Sequence, residues 1–322
     1  MRTVLNTAGD RPQVDGQPQC GRADHGPSRK NLMPLKKIGL VILKLGLPTA
    51  LFAYLLWSVP AEDYRAFWAQ PKRWELLLAA QLVALTAVLL SFMRWRVIVL
   101  AFTIPFSLRE ALRLGFLGYL LNFISLGSVG GDVFKAILVA RNKPEKRPEA
   151  VASVLLDRAV GLLGLVVLAW ISLTLFAGDE LSGLLLGIWR GAGILAGSAL
   201  VGMLAALLAG AWFDSLLDTV ARLPMIGEPL ARMARAVRQL RNQPHTVLLL
   251  LLLSCTVHLL LTLAVFLVSA GVYHAHPTLQ EHLMVVPPGM AAGTLPLAPG
   301  GIGVQEGALA GLFQQLPNLP EN

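Results

Sequence analysis

Hydrophobic positions run along this chain in blocks, and the blocks come in two lengths. Residues 38–58, 76–93, 151–177, 188–212 and 246–271 are apolar over a stretch close to or above the roughly 20 residues that an α-helix needs to cross a bilayer. Two further apolar runs, 114–126 and the proline-bearing 283–297, are shorter, and runs of about 10–14 residues point to re-entrant or interfacial segments. The stretch 295–309, LPLAPGGIGVQEGAL, follows the second of them. Pro296, Pro299, Gly300, Gly301 and Gly303 interrupt any helix there, and Glu306 brings a charge. In hydrocarbon an unpaired backbone N–H or C=O is costly, so broken backbone survives only where it is buried in protein or lines a wet cavity. The predicted fold is all-α, a polytopic transmembrane helical bundle with two re-entrant or broken segments. The alternative for 295–309 is a surface loop just outside the membrane.

Composition agrees with the pattern. With 55% hydrophobic and 14% charged residues and a mean hydropathy of +0.63, the chain is no ordinary soluble domain, where charged residues make up about a quarter. The formal net charge of +8 would suit nucleic acid, but the 27 Lys and Arg lie almost entirely between apolar blocks and without a basic-aromatic platform. Membrane topology accounts for them, and no nucleic-acid partner is expected. Residues 1–31 are polar and rich in Gly, Pro and charge, which predicts a disordered cytoplasmic tail. It is not a signal peptide, because the apolar run begins only after Lys36 and Lys37. The membrane domain is then 32–313, with a short polar tail at 314–322. Cys20 and Cys255 have neither metal-ligand nor disulfide company.

Charge decides between topologies. If the chain dips in and returns across 114–132, the loops carrying Arg94, Arg96, Arg109 and Arg113, then 135–147, then 222–241, all fall on the side of the N-terminal basic cluster. The loops 178–187 and 272–282 on the other side hold no Lys or Arg. Only Arg65, Lys72 and Arg73 spoil the positive-inside pattern. Five crossings and two re-entrant segments follow, the first segment entering from the cytoplasm and the second from outside. Residues 228–242 predict a basic amphipathic helix, read either as interfacial or as an ordinary basic loop helix.

Charged residues inside apolar segments are rare and usually functional. SLGSVGGDVFK places Gly130, Gly131 and Asp132 where the first short run turns, with Lys135 one helical turn on and able to neutralise the acid. SVLLDRAVGLLG sets Ser153, Asp157, Gly161 and Gly164 on one helix face, with Arg158 adjacent. Asp157 and Arg158 read either as a structural ion pair or as part of a transport path. Ser254, His258 and Thr262 form a polar stripe, read as helix packing or as a proton relay. No HExxH, GxSxG, P-loop or CxxC occurs, and no cofactor or metal is expected. The two Gly-Gly elements loosely resemble each other; entering from opposite faces, they would form the inverted pair from which transporters build midplane sites.

GGDVFKAILVAR, SVLLDRAVGLLGL and APGGIGVQEGAL resemble, in order, three signature segments of the lysylphosphatidylglycerol synthase transmembrane-region family, a flippase-like membrane domain. The resemblance covers about 38–313. It implies a multi-helix domain that moves a polar lipid, such as an aminoacylated phosphatidylglycerol or a polyprenyl-linked or hopanoid-type lipid. It singles out Gly130, Gly131 and Asp132, Asp157 and Arg158, then Gly300, Gly301, Gly303 and Glu306. Two departures stand out. The chain has no room for the synthases' soluble acyltransferase domain, so no enzyme activity is expected. It also stops where the family normally adds a further helix, which leaves a truncated chain or one completed by a second copy or a partner.

The functional expectation is a groove where Asp132, Asp157 and Glu306 meet a cationic or hydroxylated headgroup while Arg94, Arg96 and Arg158 meet the phosphate of an anionic membrane lipid. The alternatives are a proton- or cation-coupled solute transporter using the same carboxylates, and a membrane scaffold that transports nothing.

Overall fold

The computed structural model describes residues 60–124, 130–142, 144–176, 183–208, 243–295 and 301–316, with scattered positions at 53–57 and 215–241. The predicted tail at 1–31, most of the crossing at 38–58, most of the basic helix at 228–242, Gly300 and the end of the chain from 317 lie outside the described residues.

Among the described residues the regular structure is helical and no strand occurs. The order is α1 (Ala61–Ala69), α2 (Trp74–Ala101), α3 (Leu108–Ile124), α4 (Gly130–Asn142), a short 3-10 turn (Pro144–Lys146), α5 (Arg147–Phe176), α6 (Gly183–Leu208), α7 (Pro244–Val272), α8 (Leu279–Gly293) and α9 (Val304–Phe313). Among the described residues, four helical segments are long and apolar enough to cross a membrane: α2, α5 with its preceding turn, α6 and α7. These coincide with four of the five predicted crossings.

The direction of each helix follows from its contacts. Leu77 packs on Gly271, and seventeen residues further along α2, Arg94 meets Ser254, so α2 and α7 run antiparallel. Trp170 lies on Gly193 and Thr174 accepts from the Trp189 indole at 2.9 Å, so α5 and α6 are antiparallel as well. One core cluster gathers Ile98 and Phe102 near the end of α2, Ala150 and Val154 near the start of α5, and Val247 and Leu250 near the start of α7. These three termini therefore share one end of the bundle. The same end holds Arg109, Arg141, Lys146 and Arg147 in its loops and helix ends, and it is called the basic end below.

Both short apolar runs fold as helical hairpins, one from each end. Ala111 of α3 and Val139 of α4 sit in the basic-end cluster. Nearer the tip, Lys135 packs on Gly118 and the Gly131 N–H donates to Asn122 Oδ1 at 2.9 Å, a receding antiparallel register. The second hairpin starts at the opposite end, where Met284 and Val285 of α8 and Leu312 of α9 pack with Leu173 and Leu185. Leu309 lies on Gly289 and Gln305 on Gly293, again antiparallel. Each hairpin opens on a capping box, in which a hydroxyl and a glutamate three residues on satisfy one another's free helix N–H groups. In the first, Glu110 N–H donates to Ser107 Oγ at 3.2 Å and Ser107 N–H to Glu110 Oε2 at 2.8 Å. In the second, Thr278 and Glu281 do the same at 3.3 and 2.6 Å. The sequence signals SLRE and TLQE were there to be read.

α8 continues through the buried Pro287 and Pro288, and the second run is interrupted where the sequence placed the break, between Gly293 and Val304. There Gly301 and Gly303 take φ of +76° and +84°, which side-chain-bearing residues avoid. One sequence expectation is corrected: the Arg94-Trp95-Arg96 cluster does not end a crossing at an interface, and α2 runs on to Ala101, with Trp95 1% and Arg94 7% exposed. Lys72 and Arg73, two of the three exceptions to the charge rule, have structural partners. The Arg73 N–H donates to Gly271 O at 2.9 Å and its guanidinium to Ala270 O, so a cation sits on the negative end of α7. Lys72 donates to Phe67 O and stands 4.0 Å over the Phe67 ring.

Candidate functional site

The two hairpin tips reach the same place. A cavity of ≈ 330 Å³ lies where Asn122, Asp132 and Lys135 of the first hairpin face Gly293, Thr294 and Gln305 of the second. Its walls are completed by Arg94 of α2, Asp157, Arg158 and Gly161 of α5, and His258 of α7.

Two ion-pair systems hold the charges. Arg94 Nε donates to Asp157 Oδ1 at 2.8 Å and its Nη1 to Ser254 Oγ at 3.0 Å. Ser254 donates in turn to Val160 O at 2.8 Å, so one buried arginine links α2, α5 and α7. The arrangement needs small residues: Arg94 lies against Gly161, and a Cβ on Gly164 would run into the Ser254 hydroxyl. The predicted face of Ser153, Asp157, Gly161 and Gly164 is thus the contact face of α5. In the second system Asp132 takes both Lys135, at 3.3 Å, and the Arg158 guanidinium. Asp132 and Lys135 are one turn apart on α4, as their spacing predicted. Asp157 and Arg158, adjacent in sequence, find their partners on other helices, because neighbours on a helix point about 100° apart.

Gly131 sets the first tip. A Cβ there would run into the Gly118 carbonyl oxygen, which is backbone and cannot swing aside. Gly130 opens α4 beside it. On α7, His258 Nε2 meets Gly161 O at 3.0 Å and the His258 carbonyl accepts from Thr262 Oγ1 at 2.9 Å. The stripe packs helices, while His258 Nδ1 is buried with no hydrogen-bond partner.

Arg94, Asp132, Asp157 and Arg158, all singled out from the sequence, are brought together here. Glu306 and Arg96 do not line this cavity. Glu306 Oε2 accepts from the Gly303 N–H at 2.6 Å and so caps α9, while its neighbour Gln305 faces the cavity. Arg96 is half-buried, with its Nε unpartnered. Asn122 and Gln305 were missed; a lone amide inside an apolar run was the available signal for Asn122.

Charged and amide side chains converge at mid-bundle on two interrupted hairpins within an all-α, multi-pass membrane protein. The chain matches the lysylphosphatidylglycerol synthase TM region family over residues 38–321 and belongs to it. No curated protein and no solved structure matches the chain.

Proposed function

We propose that the protein moves a polar lipid between the leaflets of the cytoplasmic membrane without altering it covalently. The observation that carries this reading is the convergence of Arg94, Lys135 and Arg158 with Asp132 and Asp157 in a cavity at mid-bundle, reached by both hairpin tips. A headgroup crossing hydrocarbon needs its phosphate charge answered on the way, and the three cations do that. Asp132 competes with the phosphate for Lys135 and Arg158, so the site grips strongly enough to admit the headgroup and weakly enough to release it. The positive-inside rule puts the basic end, and with it the N-terminal tail, in the cytoplasm. Partners are the membrane lipids themselves.

Reconstituted into liposomes, the full chain is expected to raise the transbilayer rate of a headgroup-labelled lipid well above that of protein-free vesicles. Asp132→Asn should lower that rate at least about tenfold, the kinetic equivalent of some 1.4 kcal/mol. Glu306→Ala should leave it near wild type, losing about 1 kcal/mol of stability as a helix cap. A wild-type rate equal to that of empty vesicles, or proton-coupled solute uptake without lipid movement, contradicts the proposal.

A further inference from the structure

The second hairpin has two faces, and only one of them looks into the charged cavity. The other borders a larger cleft of ≈ 670 Å³, bounded on its remaining sides by α5 and α6. The two spaces are neighbours along three helices. On α5, Leu165 lines the charged cavity and Val166 the cleft; on α8, Gly293 lines the first and Ala292 the second; on α9, Gln305 and Ala308 divide in the same way. The hairpin tip is a thin partition between a polar space and an apolar one.

The lining of the cleft decides what fills it. Among the described residues no charged side chain lines it, and its polar side chains are Gln314 and Gln315, at the end opposite the basic one. Water finds too few partners in such a space, so its content is hydrocarbon. Gly191 of α6 and Gly311 of α9 present bare backbone to it, with nothing within 4 Å of where a Cβ would stand. Bare backbone also suits a packed helix, so size has to decide. A helix about 10 Å across, running through half a bilayer, takes on the order of 1,200 Å³. The ≈ 670 Å³ of the cleft falls well short of that and lies within the range of ligand pockets, about 300 to 1,000 Å³.

Depth ties the cleft to the headgroup. The basic half of the bundle is filled by the core around Trp95, Phe102 and Phe106, whereas the cleft runs from Ala292 at mid-bundle to Gln315 at the opposite end. A lipid drawn from the basic-end leaflet keeps its chains pointing away from that end, so with its headgroup at mid-bundle a chain comes to the level of the cleft. We infer that the cleft between α6 and the second hairpin holds one acyl chain of the lipid whose phosphate occupies the charged cavity, the lipid straddling the hairpin tip. This rests on the lipid-moving reading above and adds a second subsite to it.

The test is photo-crosslinking of the purified full chain in phosphatidylcholine liposomes. A trace of phosphatidylglycerol with a diazirine in one acyl chain is the probe, and fragmentation mass spectrometry locates the modified residues. Leu195 lines the cleft and is 61% exposed, while its neighbour Ile194 lies at the same depth, 71% exposed and outside the cleft. Leu195 and Ala292 are expected to be labelled about tenfold more than Ile194, the factor that one charge-assisted hydrogen bond to the headgroup phosphate supplies. Replacing part of the phosphatidylcholine by unlabelled phosphatidylglycerol should remove that excess and leave Ile194 unchanged. Arg158→Gln should do the same, because the chain is held through its headgroup. Gly191→Leu combined with Gly311→Leu should abolish the excess by filling the cleft, with the melting temperature unchanged. The wild-type and Arg158 arms decide the matter even if that variant does not fold. Labelling of Leu195 no higher than that of Ile194, the result of a partner helix in the cleft, overturns the inference and leaves lipid movement in liposomes standing. An excess that survives Arg158→Gln also overturns it. No excess and no movement overturns both. An excess that depends on Arg158, in a protein that moves no lipid, supports the inference and removes the transport reading.

Discussion

Asp157→Ala is expected to destabilise the protein by about 3–5 kcal/mol, the usual cost of leaving one member of a buried ion pair without its partner. Arg94 has a side chain only 8% exposed and is bound to Asp157 on one side and Ser254 on the other. Without the carboxylate it keeps one neutral hydroxyl and a glycine surface, in a bundle whose outer face is lipid. Thermal unfolding of the detergent-solubilised protein checks this. Arg94→Ala should be milder, since the orphaned Asp157 is 15% exposed on the cavity wall and reaches water more readily. Replacing both by leucine should restore most of the stability, because two apolar side chains of similar volume often pack as well as a buried pair. Unchanged melting of the single Asp157 variant would mean that the pair is not formed.

The second large effect is expected from Gly131→Ala. The added methyl group would meet the Gly118 carbonyl oxygen, and the Gly131 N–H would lose its place on Asn122 Oδ1. Overpacking of this kind costs about 1–3 kcal/mol and more where the obstacle is backbone. Asp132 moves with the tip, so lipid movement should fall with stability. Gly307→Ala on α9 is the matched control: nothing lies within 4 Å of its added methyl. It should be neutral or slightly stabilising, by up to about 1 kcal/mol from helix propensity. Equal melting points for the two variants would remove the tight hairpin tip.

Much of this architecture was legible in the chain because bilayer length and charge bias are coarse signals that survive without tertiary knowledge. Apolar run length gave α2, α5, α6 and α7, and the distribution of Lys and Arg implied two hairpins entering from opposite ends. Asp132 with Lys135 was legible because a one-turn spacing needs no knowledge of the other helices. Arg94 was misplaced at an interface because what makes its burial tolerable, Asp157 and Ser254, lies 63 and 160 residues away. Glu306 and Gln305 show a finer limit. Adjacent helical positions differ by about 100° in direction, and the sequence does not say which of them meets the cavity and which folds back on Gly303. Pro287 and Pro288 sit inside α8 without breaking it; a buried helix packed on both sides can forgo the N–H groups they lack, whereas an isolated one loses about 3 kcal/mol at such a residue.

The central claim is that two interrupted hairpins, entering from opposite ends of the bundle, meet at one charged cavity. Cysteine pairs in a background of Cys20→Ser and Cys255→Ser test it most directly in intact membranes, using a short bifunctional maleimide. Asn122→Cys with Gln305→Cys, both on the cavity wall, is predicted to cross-link efficiently. Arg109→Cys with Gln315→Cys, at the exposed bases of the two hairpins, should not cross-link at all. Bridging of the base pair, or none between the tips, would contradict the arrangement.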